Sequence, residues 1–318
     1  MPPRASTRMI DLMPATIRLP FGLQRRLEAA SSTFLHATEG PGVDFSSPRG
    51  EAALVPPDSV SWRIFKNPVS LFVGGVAAVI LELADPDVRT GVWERSTFRS
   101  DPLGRLRRTG LAAMVTVYGA RSVALPMIAR IARMHARVTG TTADGRPYAA
   151  NDPALLTWVH VTATFGFVEA YSRYVSRLDR SDTDSVYREG APTLALYGGA
   201  CAPESQAAAS ALFDSHRGRL EPSRIVFRFL QMMVDTPALP PSLAWMQPLL
   251  VRAAVEILPQ WACERLGLDS RHALRRHERW IVESAAALAE RIVLREGPAS
   301  QSCLRLGLPA TYLYPGGR

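Results

Sequence analysis

The sequence predicts an all-α fold, and three observations carry that prediction. Apolar residues recur at helical spacing from Val69 onward, no convincing run of strict alternation is present, and a long apolar stripe opens with Asp152-Pro153, the favoured chemistry of a helix start. The chain has 318 residues, 47% hydrophobic and 21% charged, with a mean hydropathy of zero. This composition excludes a disordered chain and a multispanning membrane protein. Residues 1–60, rich in Pro, Ser and Gly, read as an irregular arm with a short helix around Phe21 to Ala30. Residues 61–296 read as a single helical domain and residues 297–318 as a tail.

The uncharged apolar run Asn67 to Leu81 ends at Glu82. It falls short of the roughly 20 residues that cross a bilayer, so it reads as a buried core helix. Leu103, Leu106, Gly110, Met114 and Val117 mark one face of a helix ending near Gly119. In the helix that follows, Val123, Met127, Ile131, Met134 and Val138 form one stripe. Ala124, Ile128, Ile131 and His135 form an adjoining one, which places His135 on the apolar side. Asp152 is the N-cap and Pro153 the first residue of a long helix. Its buried face runs through Leu156, His160, Ala163, Phe167, Ala170, Tyr174 and Leu178, so His160 also points inward. Further helices are expected at Glu204 to His216, Ser223 to Val234, Leu243 to Leu258 and His272 to Leu294.

The net charge of +8 comes from 37 basic and 29 acidic residues, and Lys66 is the single lysine. Residues 87–140 hold ten arginines against Asp87, Glu94 and Asp101, nearly the whole excess. Arginine suits bidentate pairing with carboxylate or phosphate, although the bias also fits a compositional habit and a solvated helix face. Cys201, Cys263 and Cys303 are widely spaced with no CxxC, so neither a disulfide framework nor a zinc ribbon is indicated. Arg25-Arg26 is followed by Leu27-Glu28-Ala29-Ala30-Ser31-Ser32 rather than an apolar region, so no export signal is read and a reducing, cytoplasmic location is expected.

No GxGxxG after a strand, GxxxxGK[ST], GxSxG or HExxH occurs, which removes motif support for nucleotide, serine-hydrolase and zincin chemistry. No glutamate has a histidine three residues later, against a di-iron bundle. What remains is the histidine pair His135 and His160, near a helix bearing Arg105, Arg107, Arg108, Thr109 and Thr116. A neutral imidazole, an apolar slot and cations for propionates are what haem needs. Taken alone, each histidine is more often a hydrogen-bonded core residue than a ligand.

The ordered blocks Asp101-Pro-Leu-Gly-Arg-Leu-Arg-Arg-Thr109, Thr116-Val-Tyr-Gly119, Met134-His-Ala-Arg-Val-Thr-Gly140, Pro147-Tyr-Ala-Ala-Asn-Asp-Pro-Ala-Leu-Leu-Thr-Trp-Val-His160 and Phe167-Val-Glu-Ala-Tyr171 resemble the catalytic domain shared by MpaB-type oxygenases and rubber oxygenases (latex clearing proteins). The resemblance runs from about Gly75 to Leu178, with a looser likeness in helical layout over Tyr187 to Leu258. It implies a single globin-like helical domain binding haem b, iron included, and using dioxygen on a hydrophobic small molecule such as an isoprenoid, lipid or polyketide chain. By the same resemblance His135, in the H-x-x-V-x-G block, is the axial ligand to the metal, and Arg105 and Thr109 lie near the haem. Arg105, Arg108 and Thr109 are the candidate catalytic residues. His160, at the W-V-H position, is a second cofactor-binding candidate, with a supporting hydrogen bond or core packing left open.

Two departures matter. Relatives often read Ala-His-Pro where this chain has Ala84-Asp85-Pro86, and Arg108 stands where some rubber enzymes place a ligating lysine. Arginine stays protonated and cannot ligate iron, so an open or water-filled distal site is expected. With no export signal read, rubber is a poor guess for the substrate. The competing classes are a haem sensor or carrier without turnover, and a helical interaction protein whose arginines meet an acidic partner or the surface of a membrane. Nucleic acid is not expected as a partner, because the basic stretch lacks interleaved aromatics.

Overall fold

Asn67 opens the helix on which the molecule is built. Its side chain accepts from the backbone N–H groups of Val69 and Ser70, and Pro68 occupies the first turn, where no N–H is needed. The computed structural model describes residues 42–317 together with Thr16, Ile17, Gly22, Gln24, Arg25 and Glu28. Those residues are predominantly helical, about 63%, in 13 helices with two short strands. Of the helix expected around Phe21 to Ala30, Gly22, Gln24, Arg25 and Glu28 are helical and the rest lie outside the described residues.

The short α1 (Val60–Ile64) leads into α2 (Pro68–Ala84), and α3 (Pro86–Arg95) departs from it at 108°. Then come α4 (Pro102–Tyr118), α5 (Arg121–His135), an antiparallel hairpin of β1 (Thr139–Thr141) and β2 (Pro147–Ala149), and α6 (Pro153–Tyr174). The remaining helices are α7 (Arg180–Tyr197), α8 (Gln206–His216), α9 (Arg224–Asp235), α10 (Gln247–Glu256), α11 (Gln260–Leu266), α12 (Arg276–Arg291) and α13 (Pro298–Arg305), with a 3₁₀ turn at Pro241–Met246. Aspartates cap the decisive starts. Asp85, Asp101 and Asp152 each accept from N–H groups of the first turn of α3, α4 and α6, ahead of a proline.

The core forms where α2 crosses α6. At the crossing the backbones touch: a Cβ on Gly74 would lie 2.7 Å from the Gly166 carbonyl oxygen, and one on Gly166 would lie 2.3 Å from that of Gly74. Any larger residue forces the helices apart. Val73, Val76, Ala77, Ile80, Leu81, Leu83, Trp158, Val161 and Ala170 are buried there, each large aliphatic contributing about 1.5–3 kcal/mol by leaving water. No single helix among the described residues is long and apolar enough to cross a membrane, and α2 is largely buried in the protein.

The segments flanking the domain share a second core with α4 and α5, made of Phe45, Val55, Met114, Val115, Tyr118, Cys303, Leu313 and Tyr314. Arg305 staples it, donating to the carbonyls of Phe45, Glu51 and Tyr118.

Several boundaries differ from expectation. Helix α6 ends at Tyr174 rather than running to Leu178, because Ser176 N–H turns back to the Tyr171 carbonyl and Leu178 N–H bonds the Ser172 hydroxyl. The expected Leu243 to Leu258 helix is split into the 3₁₀ turn and α10. Helix α12 is shorter than His272 to Leu294, and the hairpin and α7 are additions.

Candidate functional site

Four helices bring a titratable or hydroxylic side chain to one place beside the core. Glu82 comes from the last turn of α2, Arg105 from the first turn of α4, His135 from the end of α5 and Thr162 from the middle of α6. The Glu82 carboxyl is enclosed, and burial pushes its pKa up to about 7, against the opposing pull of the Arg105 charge and a hydrogen bond with the Thr162 hydroxyl. Burial lowers the pKa of Arg105, while Glu82 raises it and Arg108 lowers it. Arg105 is therefore the hub, within electrostatic reach of Glu82, Arg108 and His135.

His135 is half-buried. Burial first, and the Arg105 charge second, hold its pKa below the ordinary value, which keeps the imidazole neutral at pH 7. Its Nδ1 is buried with no hydrogen-bond partner among the described residues. His160 is more deeply placed, and burial takes its pKa down to about 4. Its Nε2 likewise has no partner. The ring lies against α7, where a Cβ on Gly190 would come within 2.9 Å of it. Only glycine leaves room for the imidazole there.

An unpaired buried polar nitrogen costs about 1–3 kcal/mol. Two such imidazoles on consecutive long helices fit a group that is itself an electron-pair acceptor, as iron is. The set is small: among the described residues no three His, Cys, Asp or Glu side chains are arranged to hold a metal ion. Haem iron needs no such cage, since the porphyrin supplies four ligands and the protein one axial imidazole.

The other expected residues fall on the outside of α4. Arg108 is exposed and donates to Asp101 Oδ2 at 3.2 Å and to Thr97 Oγ1 at 2.7 Å. Thr109 is exposed one turn along from Arg105. The structure thus groups Arg105 with His135, places His160 on α6, and leaves Arg108 and Thr109 facing outward. Glu82 and Thr162 are the members that sequence reasoning missed.

Asp85, the departure from Ala-His-Pro, has a structural explanation. Its fully buried carboxylate caps α3 at Asp87 N–H (2.9 Å) and accepts from Arg219 Nε at 3.1 Å, and Arg219 also reaches Asp87. A histidine could not fill both roles. Neighbouring His216 stacks on Trp158, with ring centroids 4.3 Å apart.

Residues 62–291 match the family described as ER-bound oxygenase mpaB/B′ and rubber oxygenase, catalytic domain. The chain belongs to this family. The matched segment runs from α1 through α12 and contains Glu82, Arg105, His135 and His160. Membership in the mpaB/rubber oxygenase family makes this an oxygenase domain, with a small-molecule substrate and dioxygen as its reactants. No curated protein and no solved structure matches the chain.

Proposed function

We propose that the protein is a haem b-dependent oxygenase acting on a hydrophobic small molecule. The observation that carries this reading is the neutral, half-buried His135 with an unpaired buried Nδ1 beside Arg105, inside an oxygenase domain. A neutral imidazole is the protonation state that ligates iron. Haem bound there would supply the redox and dioxygen chemistry. The chain supplies the rest. His135 would hold the group, and Arg105 offers a cation within electrostatic reach of Glu82 and His135. The Glu82 carboxyl, with a pKa of about 7, holds or releases a proton close to neutral pH. Thr109 presents a hydroxyl on the open side of α4. Leu106, Leu111, Val123 and Met127 are half-buried apolar residues of α4 and α5, the two helices that carry Arg105 and His135.

The test is spectroscopic first. Protein reconstituted with haem is expected to show a Soret band at about one haem per chain, and His135→Ala to lose most of it. An unchanged Soret band in folded His135→Ala overturns the axial role of His135. A chain that takes up no haem at all overturns the haem reading. Incubation with labelled dioxygen and a panel of unsaturated isoprenoids and lipids then reads the reaction: label in both carbonyl products means cleavage, and one labelled oxygen means monooxygenation.

A further inference from the structure

We propose that the cleft between the β1–β2 hairpin and α3 is a binding site for a neutral ligand bearing vicinal hydroxyl groups, a sugar or another polyol. The cleft has a volume of about 620 Å³, within the range of small-molecule pockets. Asp87 of α3, Thr139 and Thr141 of β1, Tyr148 of β2 and Asp152 at the start of α6 supply its polar lining. None of Glu82, Arg105, His135 and Thr162 lines it, so this site stands apart from the oxygenase reading.

The hairpin is fitted to α3 residue by residue. Arg146 precedes β2 by one residue and Tyr148 lies within it, two positions apart and so on one side of the strand. They meet Asp87 and Gly91, which lie four apart on one side of α3. Arg146 Nη2 lies 3.1 Å from Asp87 Oδ1. Tyr148 is only 7% exposed, and its ring is held between two glycines. A Cβ on Gly91 would lie 3.2 Å from the ring, and one on Gly140 would lie 2.8 Å from the hydroxyl.

This close fit leaves three buried polar atoms without a hydrogen bond: the Tyr148 hydroxyl, Arg146 Nε and Asp87 Oδ1, whose contact with Arg146 is not aligned as one. Each such atom costs about 1–3 kcal/mol. The hairpin's own turn is satisfied by contrast, since the Thr142 hydroxyl donates to the Arg146 carbonyl at 2.9 Å and accepts from the Arg146 N–H at 3.1 Å. Unpaired groups therefore gather on the side of the hairpin that faces α3 and the cleft.

Their chemistry selects the ligand. Arg146 Nε donates, Asp87 Oδ1 accepts, and the Tyr148 phenol does either. Adjacent hydroxyl groups on one molecule answer all three. An anion would meet the carboxylates of Asp87 and Asp152, and a cation would meet an Asp87 already paired with Arg146 and Arg219. A neutral polyol avoids both conflicts. The Arg146 side chain is 40% exposed and covers Asp87 Oδ1, so a hydroxyl of the ligand takes its place there while the guanidinium turns to a second hydroxyl. Thr139 and Thr141, both exposed, offer further hydroxyls at the rim.

The test uses purified full-length protein and reads binding alone. Myo-inositol and maltose are the probes, followed by saturation-transfer NMR and calorimetry, with cyclohexanol and inorganic phosphate as controls. We expect at least one polyol to bind, and its affinity to fall by about threefold to tenfold in Tyr148→Phe, which removes one hydrogen-bonding group. Asp87→Asn should weaken it at least as much. Tyr148→Phe should melt no lower than the parent, because the hydroxyl it lacks has no partner in the protein, and this variant decides the matter if Asp87→Asn does not fold. Failure of both polyols to bind overturns the proposal. So does equal binding of cyclohexanol, binding of phosphate alone, or a Tyr148→Phe variant that binds polyol like the parent.

Discussion

The two ends of α2 carry two ionic clusters, one buried and one half-buried, built on opposite plans. At its start Lys66 pairs with Glu290 of α12, and both are almost wholly buried. Tyr171 donates to Glu290 Oε1 at 2.8 Å, Asn67 donates to Oε2 at 3.0 Å, and the Tyr314 ring lies 5.4 Å from the Lys66 ammonium. Every Glu290 oxygen is used. At the other end, about 24 Å away along the helix, Glu82, Arg105 and His135 lie together with an imidazole nitrogen unpaired. A saturated network holds elements together. An unsaturated one that is less deeply buried has capacity left for a ligand, which is why the second is the candidate site and the first is not.

The comparison breaks first at Glu290. Glu290→Ala leaves the Lys66 ammonium buried without its counter-charge, so a loss of about 3–5 kcal/mol in unfolding free energy is expected from urea titration. A loss under about 1 kcal/mol would mean that the Lys66 end is not the structural lock its hydrogen bonds indicate.

Glu82→Gln should act in the opposite sense. Because the folded-state pKa, about 7, lies above the ordinary 4.5, the folded protein holds a proton that the unfolded chain gives up between those values. Stability therefore falls as pH rises from about 4.5 to about 7, by up to about 3 kcal/mol. The amide cannot ionise, so the variant should show a flatter stability profile over that window and exceed the parent above pH 7. The same slope in both proteins would remove Glu82 as its source.

Which of these features was legible in the sequence follows from how each signals. The helix start at Asp152-Pro153 is local chemistry, and the sequence marks it where the structure has it. The hairpin is three residues per strand, too short for alternation to register. Helix α7 carries Gly190 and Pro192 within a mostly polar run, and its buried Val186, Tyr187 and Leu194 make too thin a stripe to announce it. Met134 was expected in an apolar stripe but stands exposed, because α5 buries the neighbouring line through Ala124 and Ile128. His135 and Arg105 were singled out by residue type and family resemblance. Glu82 was not, because a carboxylate closing an apolar run reads as the end of a helix, and only the crossing of α2 and α6 shows it facing Thr162 and Arg105.

Asp85 sharpens the comparison with a third cluster of the saturated kind. Asp85→Ala removes the α3 cap and one of the two carboxylates on Arg219. Arg219 is partly exposed and keeps Asp87, so the expected loss is about 2 kcal/mol, less than at Glu290. On the proposed haem reading, uptake on reconstitution should equal the parent's, which separates this cluster from the candidate site.

The smallest expected effect is at Gly190, and it decides to which cluster type His160 belongs. A methyl group there gains about 0.5–1 kcal/mol of helix propensity, since alanine restricts the unfolded chain more than glycine does. It also meets the His160 ring at 2.9–3.0 Å, and the ring must move. Overpacking costs about 1–3 kcal/mol, so Gly190→Ala should be destabilised by about 1 kcal/mol net, a fall of about 2 °C in melting temperature. The informative readout is the Soret band of the reconstituted variant. If the unpaired Nε2 of His160 serves the cofactor, displacing the imidazole shifts the band or lowers haem occupancy despite the slight change in stability. If His160 only fills the gap between α6 and α7, stability falls by the same amount and the spectrum stays that of the parent.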